Sequence, residues 1–301
     1  MGLKKQLSRI YLRAMKEFHL DSFISDKTYL ELLYRRVFDK KLDLEHPKSF
    51  NEKLQWLKLF NQDPLYTTLV DKYAVKDYVA DRVKDGSLNI IPTLGVWNRF
   101  DDIDFDKLPE KFVLKTTHDS GSVCICSNRK SFDFKRAKRI LTKSLNHNYF
   151  FNDREWPYKD VPRRIIGEQY MVDESGTELK DYKFFCFNGM PKFMFIATDR
   201  PVDTRFDYFD IDFNHLPFTQ GFPNSDKEIK KPKGWATMIE IAKKLSENIP
   251  HVRIDLYDIN GKIYFGEYTF FHNSGFVPFD PEEWDSTIGD YLDLPQTYIQ
   301  H

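Results

Sequence analysis

Residues 252–276 read VRIDLYDINGKIYFGEYTFFHNSGF. Two runs of alternating polar and apolar residues flank Asn260-Gly261, a dipeptide that favours a tight hairpin turn. The register decides what the hairpin displays, because a one-residue slip moves every side chain to the other face. A two-residue loop would pair Asp255 with Gly266 and put Asp255 and Glu267 on opposite faces. A three-residue loop, Ile259-Asn260-Gly261, pairs Arg253 with Glu267 and Asp255 with Phe265, with Gly261 in the left-handed position that suits glycine. In that register Ile254, Leu256 and Tyr264 share an apolar face, and Arg253, Asp255, Glu267 and Thr269 share the other. The pattern therefore favours the three-residue turn. Two carboxylates so close together fit a divalent cation such as Mg²⁺, which takes one or two carboxylates plus substrate phosphates. An exposed strand face with an Arg–Glu pair accounts for the same letters.

Outward from the hairpin, the chain divides by texture. The first ninety or so residues read as helical. HPKSFNEKLQWLKLFN opens with a capping box, Ser49 to Glu52, followed by Leu54, Leu57 and Phe60 at helical spacing. DPLYTTLVDKYAVKDYVADRVKDG reads as one further helix or two short ones between Pro64 and Gly86. From about Ile90, short aromatic and β-branched runs predominate. Two helical stretches interrupt them, DFKRAKRILTKSLN and WATMIEIAKKLSENI, while the polar, aromatic stretch 146–161 reads as a lid or connector. Helical crossovers are too few for a doubly wound sheet, so the class is α+β with mostly antiparallel sheets.

Bulk properties narrow the function. With 301 residues, 45 Lys+Arg against 46 Asp+Glu, the chain lacks the global basic field of a nucleic-acid binder. The 27 Phe and 16 Tyr fit a β-rich core with aromatic-lined clefts. Apolar runs fall short of the roughly 18 residues that span a bilayer. MGLKKQLSRIYLRAMKEF has neither the apolar centre nor the cleavage site of a signal peptide. It reads as a short basic amphipathic helix, either packed on the protein or in peripheral contact with a membrane at its inner face. Cys124, Cys126 and Cys186 form no metal framework, and with no export signal they favour the reducing cytoplasm.

Two more constellations carry potential chemistry. In KFVLKTTHDSGSVCICS, Lys115 ends an apolar strand before a small loop with Ser120, Gly121 and Ser122. Backbone N–H groups of such a loop can cradle phosphates, with a lysine supplying charge; a plain hairpin loop is the other reading. In RRIIGEQYMVDESGTELKDYKFFCFNG, a strand Arg164–Ile166 leads to Glu168, and Asp181 opens the next strand. These acids suit an adenine amino group and ribose hydroxyls, or simply a surface.

The order of the pieces resembles the ATP-grasp superfamily: strand-Lys with a small loop, strand-Glu, then Arg-x-Asp and Glu-x-Thr on a hairpin. The wording of SFNEKLQWLKL, DKYAVKDYV, FVLKTTHDSGS, GEQYM, DYKFFCFNG and VRIDLYDINGKIYFGEYTF resembles the teichuronopeptide-biosynthesis (TupA-like) ATP-grasp family over roughly residues 45–290. The resemblance implies an ATP-grasp fold of two α+β subdomains: a helical N-terminal region (1–92), a lid subdomain (93–167) and a C-terminal subdomain (168–301) with the metal and ATP floor. It implies that Lys76 and Lys115, with Ser120–Ser122, contact ATP phosphates. Glu168 and the backbone of Gln169, Tyr170 and Met171 would form the adenine hinge, and Asp181 and Lys183 would contact the rest of the nucleotide, Asp181 at the ribose. Mg²⁺ would be held by Asp255 and Glu267 with Thr269 as third ligand, where the superfamily usually has Asn. Arg253 would stabilise the acyl phosphate and the tetrahedral intermediate, and Arg200 or Arg205 would reach the γ-phosphate. The activity implied is an ATP-dependent carboxylate–amine ligase of surface-polysaccharide biosynthesis, joining an amino acid or amine to a sugar-acid carboxylate. The competing readings are a nucleotide-sugar glycosyltransferase, for which Asp210 and Asp212 of YFDID supply an Asp-x-Asp, and a non-catalytic scaffold.

Overall fold

The computed structural model describes residues 24–173, 179–199 and 203–296. The expected N-terminal amphipathic helix and Arg200 lie outside them. Helices α1 (Asp26–Phe38), α2 (Phe50–Phe60), α3 (Leu65–Val70) and α4 (Val75–Arg82) come first. The Ser49 hydroxyl accepts from the Glu52 N–H and the Glu52 carboxylate accepts from the Ser49 N–H, so the capping box starts α2 as the sequence requires. The stretch after Pro64 is two helices, because the chain turns at Asp71, whose carboxylate accepts from the N–H of Tyr73 at 2.9 Å.

Strands β1 (Leu88–Ile90), β2 (Thr93–Trp97), β3 (Phe112–Thr116), β4 (Val123–Cys126) and β5 (Ile165–Gln169) follow, with α5 (Phe134–Leu145) and α6 (Phe150–Asp153) between β4 and β5. Next come β6 (Asp181–Phe187), β7 (Met190–Thr198), β8 (Arg205–Asp210), β9 (Thr219–Gln220), α7 (Trp235–Ser246), β10 (His251–Ile259), β11 (Lys262–Thr269), β12 (Phe279–Asp280) and α8 (Glu283–Gly289). They form a six-stranded sheet, β1-β11-β10-β6-β7-β8, a four-stranded sheet, β2-β5-β3-β4, and the pair β12-β9. Pairing is antiparallel throughout except for β1 with β11. All of β5 belongs to the small sheet, so the expected division between 167 and 168 cuts a strand, and Glu168 lies within a strand rather than after one. No helix among the described residues is long and apolar enough to cross a membrane.

Each sheet buries one face under a helix. Phe184, Cys186, Met194, Ile196, Ile254 and Leu256 of the large sheet are buried in one cluster with Met238, Ile241 and Leu245 of α7. Phe112, Leu114, Cys124 and Cys126 of the small sheet pack with Ala137 and Leu141 of α5. The three cysteines are free and buried, as small core residues should be. The opposite face of the large sheet is divided: Phe185, Phe187, Phe193 and Phe195 continue the core beneath α2, but its other end is polar.

The hairpin differs from its expected register. Ile259 pairs with Lys262, so the loop has two residues, and Asn260 and Gly261 both take positive φ (55° and 84°), the geometry of a type I′ turn. Asp255 nevertheless faces Glu267, and Arg253 faces Thr269, because a β-bulge at Gly266 shifts the register between Asp255 and Leu256. Tyr264 therefore stands opposite Tyr257, on the side of Asp255 and not that of Leu256. A glycine is needed at the bulge: a Cβ there would lie 2.8 Å from the Asp255 carbonyl oxygen and 3.2 Å from the Tyr257 ring. Gly266→Ala is expected to destabilise the protein by about 1–3 kcal/mol, measured by thermal or denaturant unfolding, whereas Gly261→Asn at the turn should cost much less.

Candidate functional site

The polar end of the large sheet is built on Arg253. Its Nε donates to Asp255 Oδ1 at 2.7 Å and its Nη2 to Asp255 Oδ2 at 2.8 Å, a bidentate fork. Nη2 also reaches Thr269 Oγ1 at 3.0 Å and Glu267 Oε1 at 3.4 Å. Nη1 donates to His272 Nδ1 at 2.7 Å. Burial and the charges of Arg253 and Lys183 drive the His272 imidazole far below its ordinary value, so it is neutral and Nδ1 is free to accept. Lys183 completes the cluster, bonded to Asp255 and 3.3 Å from Asp181. Burial pushes the Glu267 carboxyl up, but Lys72, Lys183 and Arg253 outweigh it and hold the group below the ordinary range.

A second cluster lies on the small sheet. Lys76, from α4, and Lys115, from β3, each approach a different oxygen of Glu168 at 2.6 Å. Lys76 also donates to the Ile91 carbonyl and the Thr93 hydroxyl, both at 2.8 Å. Burial raises the Glu168 carboxyl, and the two lysines more than reverse it. Strand alternation puts Val113, Val123 and Ile125 on the same face as Lys115, and Val123 and Ile125 are exposed, an open aliphatic surface beside the lysines. In the loop that follows, Ser120 and Gly121 are exposed, while the Ser122 hydroxyl is committed to Asp119 Oδ1 at 2.6 Å and Thr116 Oγ1 at 2.6 Å.

Lys72 joins the two clusters. Its N–H donates to the Thr117 carbonyl at 3.1 Å and its ammonium to the Asp119 carbonyl. Burial pulls its pKa down, while Glu267 of one sheet and Asp119 and Glu168 on the side of the other pull it up and Lys115 repels it. The structure thus brings Lys76, Lys115 and Glu168 together, and Arg253, Asp255, Glu267, Thr269, Asp181 and Lys183 together. Gln169 ends β5, its N–H on the Pro92 carbonyl at 3.0 Å, and Tyr170 and Met171 continue from it. Arg205 is occupied with Asp203 at 2.9 Å and the Asn224 carbonyl at 3.2 Å. The Asp-x-Asp pair is a turn: Asp210 accepts from the N–H groups of Asp212 and Asn214 at 2.9 and 2.8 Å. Lys72, Asp119, Tyr257 and His272 were not singled out by the sequence reading; Tyr257, between the acids of both clusters, reads as one more core aromatic in an alternating strand.

Among the described residues no group of three or more His, Cys, Asp or Glu side chains is placed to hold an ion by itself. Asp255 and Glu267 stand directly opposite each other with the Thr269 hydroxyl beside them, an all-oxygen set in which both Asp255 oxygens are at present engaged by Arg253 and Lys183. That set fits Mg²⁺, which takes few protein ligands and completes its shell with phosphates and water.

A family model described as TupA-like ATPgrasp matches residues 52–293. No curated protein matches this sequence. Similar solved structures include the D-alanine–D-alanine ligase from Bacillus anthracis complexed with ATP (13% identity, 67% of this chain and 54% of that one, TM-score 0.40). The D-alanine–D-alanine ligase from Helicobacter pylori gives 14% identity, 82% and 70% coverage and a TM-score of 0.42. A RimK domain ATP-grasp protein from Sphaerobacter thermophilus gives 11%, 77% and 70%, and 0.41. The chain spans about half the length of the first of these, 54%.

The electrostatics give a pH signature. Glu168 and Glu267 titrate below their ordinary 4.5 in the folded chain. Their contribution is full above that value and is lost as pH falls through the lower native values, because the unfolded chain takes up the protons first. Glu168→Gln, which leaves two partly buried lysines unpaired, should cost about 3 kcal/mol at neutral pH. The deficit should shrink as pH drops below 4.5, as followed by denaturant unfolding across a pH series.

Proposed function

The chain belongs to the TupA-like ATP-grasp family, and from that premise we propose that it is an ATP-dependent ligase that joins a carboxylate to an amine. One observation carries the reading: a lysine cluster around Glu168 and a carboxylate cluster around Arg253 lie on two different sheets, and Lys72, which donates to the Asp119 carbonyl beside the first, feels the charge of Glu267 in the second. A nucleotide between the sheets would meet positive charge for its phosphates on one side and oxygen ligands for its counter-ion on the other.

In this reading Lys76 and Lys115, now paired with Glu168, take the phosphate chain, and the backbone N–H groups of the exposed residues Ser120 and Gly121 approach it as a cradle. Glu168 and the backbone of Gln169–Met171 border the base, Asp181 takes the ribose hydroxyls, and Lys183 sits between Asp181 and Asp255. Asp255, Glu267 and Thr269 would hold Mg²⁺, which supplies neutralisation of the transferring phosphoryl group. The substrate carboxylate oxygen attacks the γ-phosphorus and ADP departs, giving an acyl phosphate. An amine then attacks the acyl carbon, loses a proton and expels phosphate, leaving an amide. Arg253 is held in one orientation by five acceptor atoms on four residues, a fixed positive charge for the oxyanion that develops in that step. No protein nucleophile is needed. The family resemblance supports a sugar-acid carboxylate of a surface polysaccharide as one substrate and an amino acid or amine as the other, with the reaction run in the cytoplasm, where ATP is available.

Two outcomes test the proposal. ATP with Mg²⁺ should raise the melting temperature, by about 2.7 kcal/mol of added stability at a hundredfold excess over its dissociation constant, where a UDP-sugar should not. Glu267→Ala should keep the fold by circular dichroism and lose ATP turnover by a factor of about a hundred or more, measured as ADP release in a screen of amino acids against uronic-acid glycans. Full turnover in that variant removes the metal-site assignment.

A further inference from the structure

On the far side of the large sheet from Asp255 and Glu267 is an open cavity of about 550 Å³, a size typical of small-molecule sites. Its floor is Tyr182 and Ile196, whose strand neighbours Lys183 and Phe195 point to the other face. Its walls are the segment 225–233, including Ile229, and the hairpin tip at Asn260-Gly261.

Five lysines line it, Lys180, Lys227, Lys230, Lys231 and Lys233, against three acids, Asp199, Glu228 and Asp258. Two of the acids are already engaged. Asp199 accepts from Lys227 at 2.8 and 3.0 Å, and Asp258 accepts from the backbone N–H groups of Gly234 and Gly261 at 2.8 and 2.7 Å. Lys230, Lys231 and Lys233 make no ion pair among the described residues, while Pro232 fixes the backbone between the last two. Within the same cavity the Thr198 hydroxyl oxygen is buried and has no hydrogen-bond partner among the described residues. A buried hydroxyl left so is costly and uncommon.

Unpaired positive charge at the rim, an orphaned hydroxyl inside and a lining that includes one aromatic and two aliphatic side chains describe one kind of guest. It carries separated negative charges, oxygen atoms for Thr198 and C–H faces for Tyr182, Ile196 and Ile229. Lysines suit such a guest because each is a mobile point charge, not the rigid fork that arginine offers a single compact anion. We propose that this cavity binds an acidic saccharide, one bearing carboxylates or phosphates, at a site separate from the nucleotide cleft.

Calorimetry with trigalacturonate, a hexose bisphosphate and the neutral maltotriose tests it. One of the two charged probes should bind and the neutral one should not, and which binds identifies the anionic group. The double variant Lys230→Glu/Lys231→Glu, at exposed positions, should weaken binding about tenfold or more. Thr198→Val should weaken it about three- to tenfold, and both variants should melt as the wild type does. Glu267→Ala should bind the saccharide with unchanged affinity whatever its effect on ATP turnover; because the ligase reading also takes a uronate, it is the loss of binding in the lysine double variant that places the saccharide in this cavity and not in the nucleotide cleft. Failure of both charged probes to bind, wild-type affinity in the lysine double variant, or loss of binding in Glu267→Ala would overturn it.

Discussion

The contact on which the rest of the molecule depends is the buried fork between Arg253 and Asp255, two residues apart on β10. A guanidinium and a carboxylate removed from water are tolerable only if nearly every donor and acceptor is matched. The surrounding residues supply those matches. His272, kept neutral, takes Nη1, Thr269 takes part of Nη2, and Lys183 caps the outer oxygen of Asp255. Glu267 in this group keeps an open side, its side chain 40% exposed against 1% for Asp255. The hairpin must therefore deliver three side chains from β11 and its continuation to one point on β10, and the core must close around them. Phe185 packs edge-on against the His272 ring at 4.9 Å, and Phe195 lies 5.7 Å beneath the guanidinium. Aromatic faces tolerate a cation better than aliphatic ones do.

Charge is also what ties the parts together. Lys72 answers to acids from two sheets. A comparable junction lies behind His272, where the Lys58 ammonium of α2 donates to the carbonyls of Asp153 and Ser274 at 2.9 and 2.8 Å, and the Ser274 hydroxyl donates to Glu155. Burial lowers the Lys58 ammonium and raises the Glu155 carboxyl, and each charge offsets the effect on the other. The stretch 146–161, legible in the sequence only as a lid or connector, is held by this junction against the segment that carries His272.

Much of the architecture was written locally. Capping at Ser49, the apolar spacing of α5 and α7, the short aromatic and β-branched runs of β3, β6 and β7, and the alternating runs of β10 and β11 depend on near neighbours, so the sequence displays them. The two carboxylates were placed on one face for a partly wrong reason. A longer turn was expected, but the chain uses a two-residue turn and restores the phase with a bulge. Gly266 was the available sign, since glycine within a strand marks a bulge or a close approach; here the approach is to the Asp255 carbonyl. The partners missed were those whose role is set at long range. Lys72 lies 195 positions before Glu267 in the chain, and nothing in its own neighbourhood distinguishes it from Lys76. Tyr257 and His272 look like core residues because in part they are.

The bulge has a consequence for how this hairpin can vary. It acts as a break between two independently phased segments: the root, where Asp255 meets Glu267, and the tip, where β1 lies alongside residues 263–265. Because the extra residue is taken up at Gly266, the alignment of the root is not dictated by the geometry of the turn. The tip also forms one wall of the lysine-lined cavity. Changes in turn length or composition can thus reshape that wall while leaving the carboxylates in place, so that one β-ribbon serves two surfaces that need not change in step.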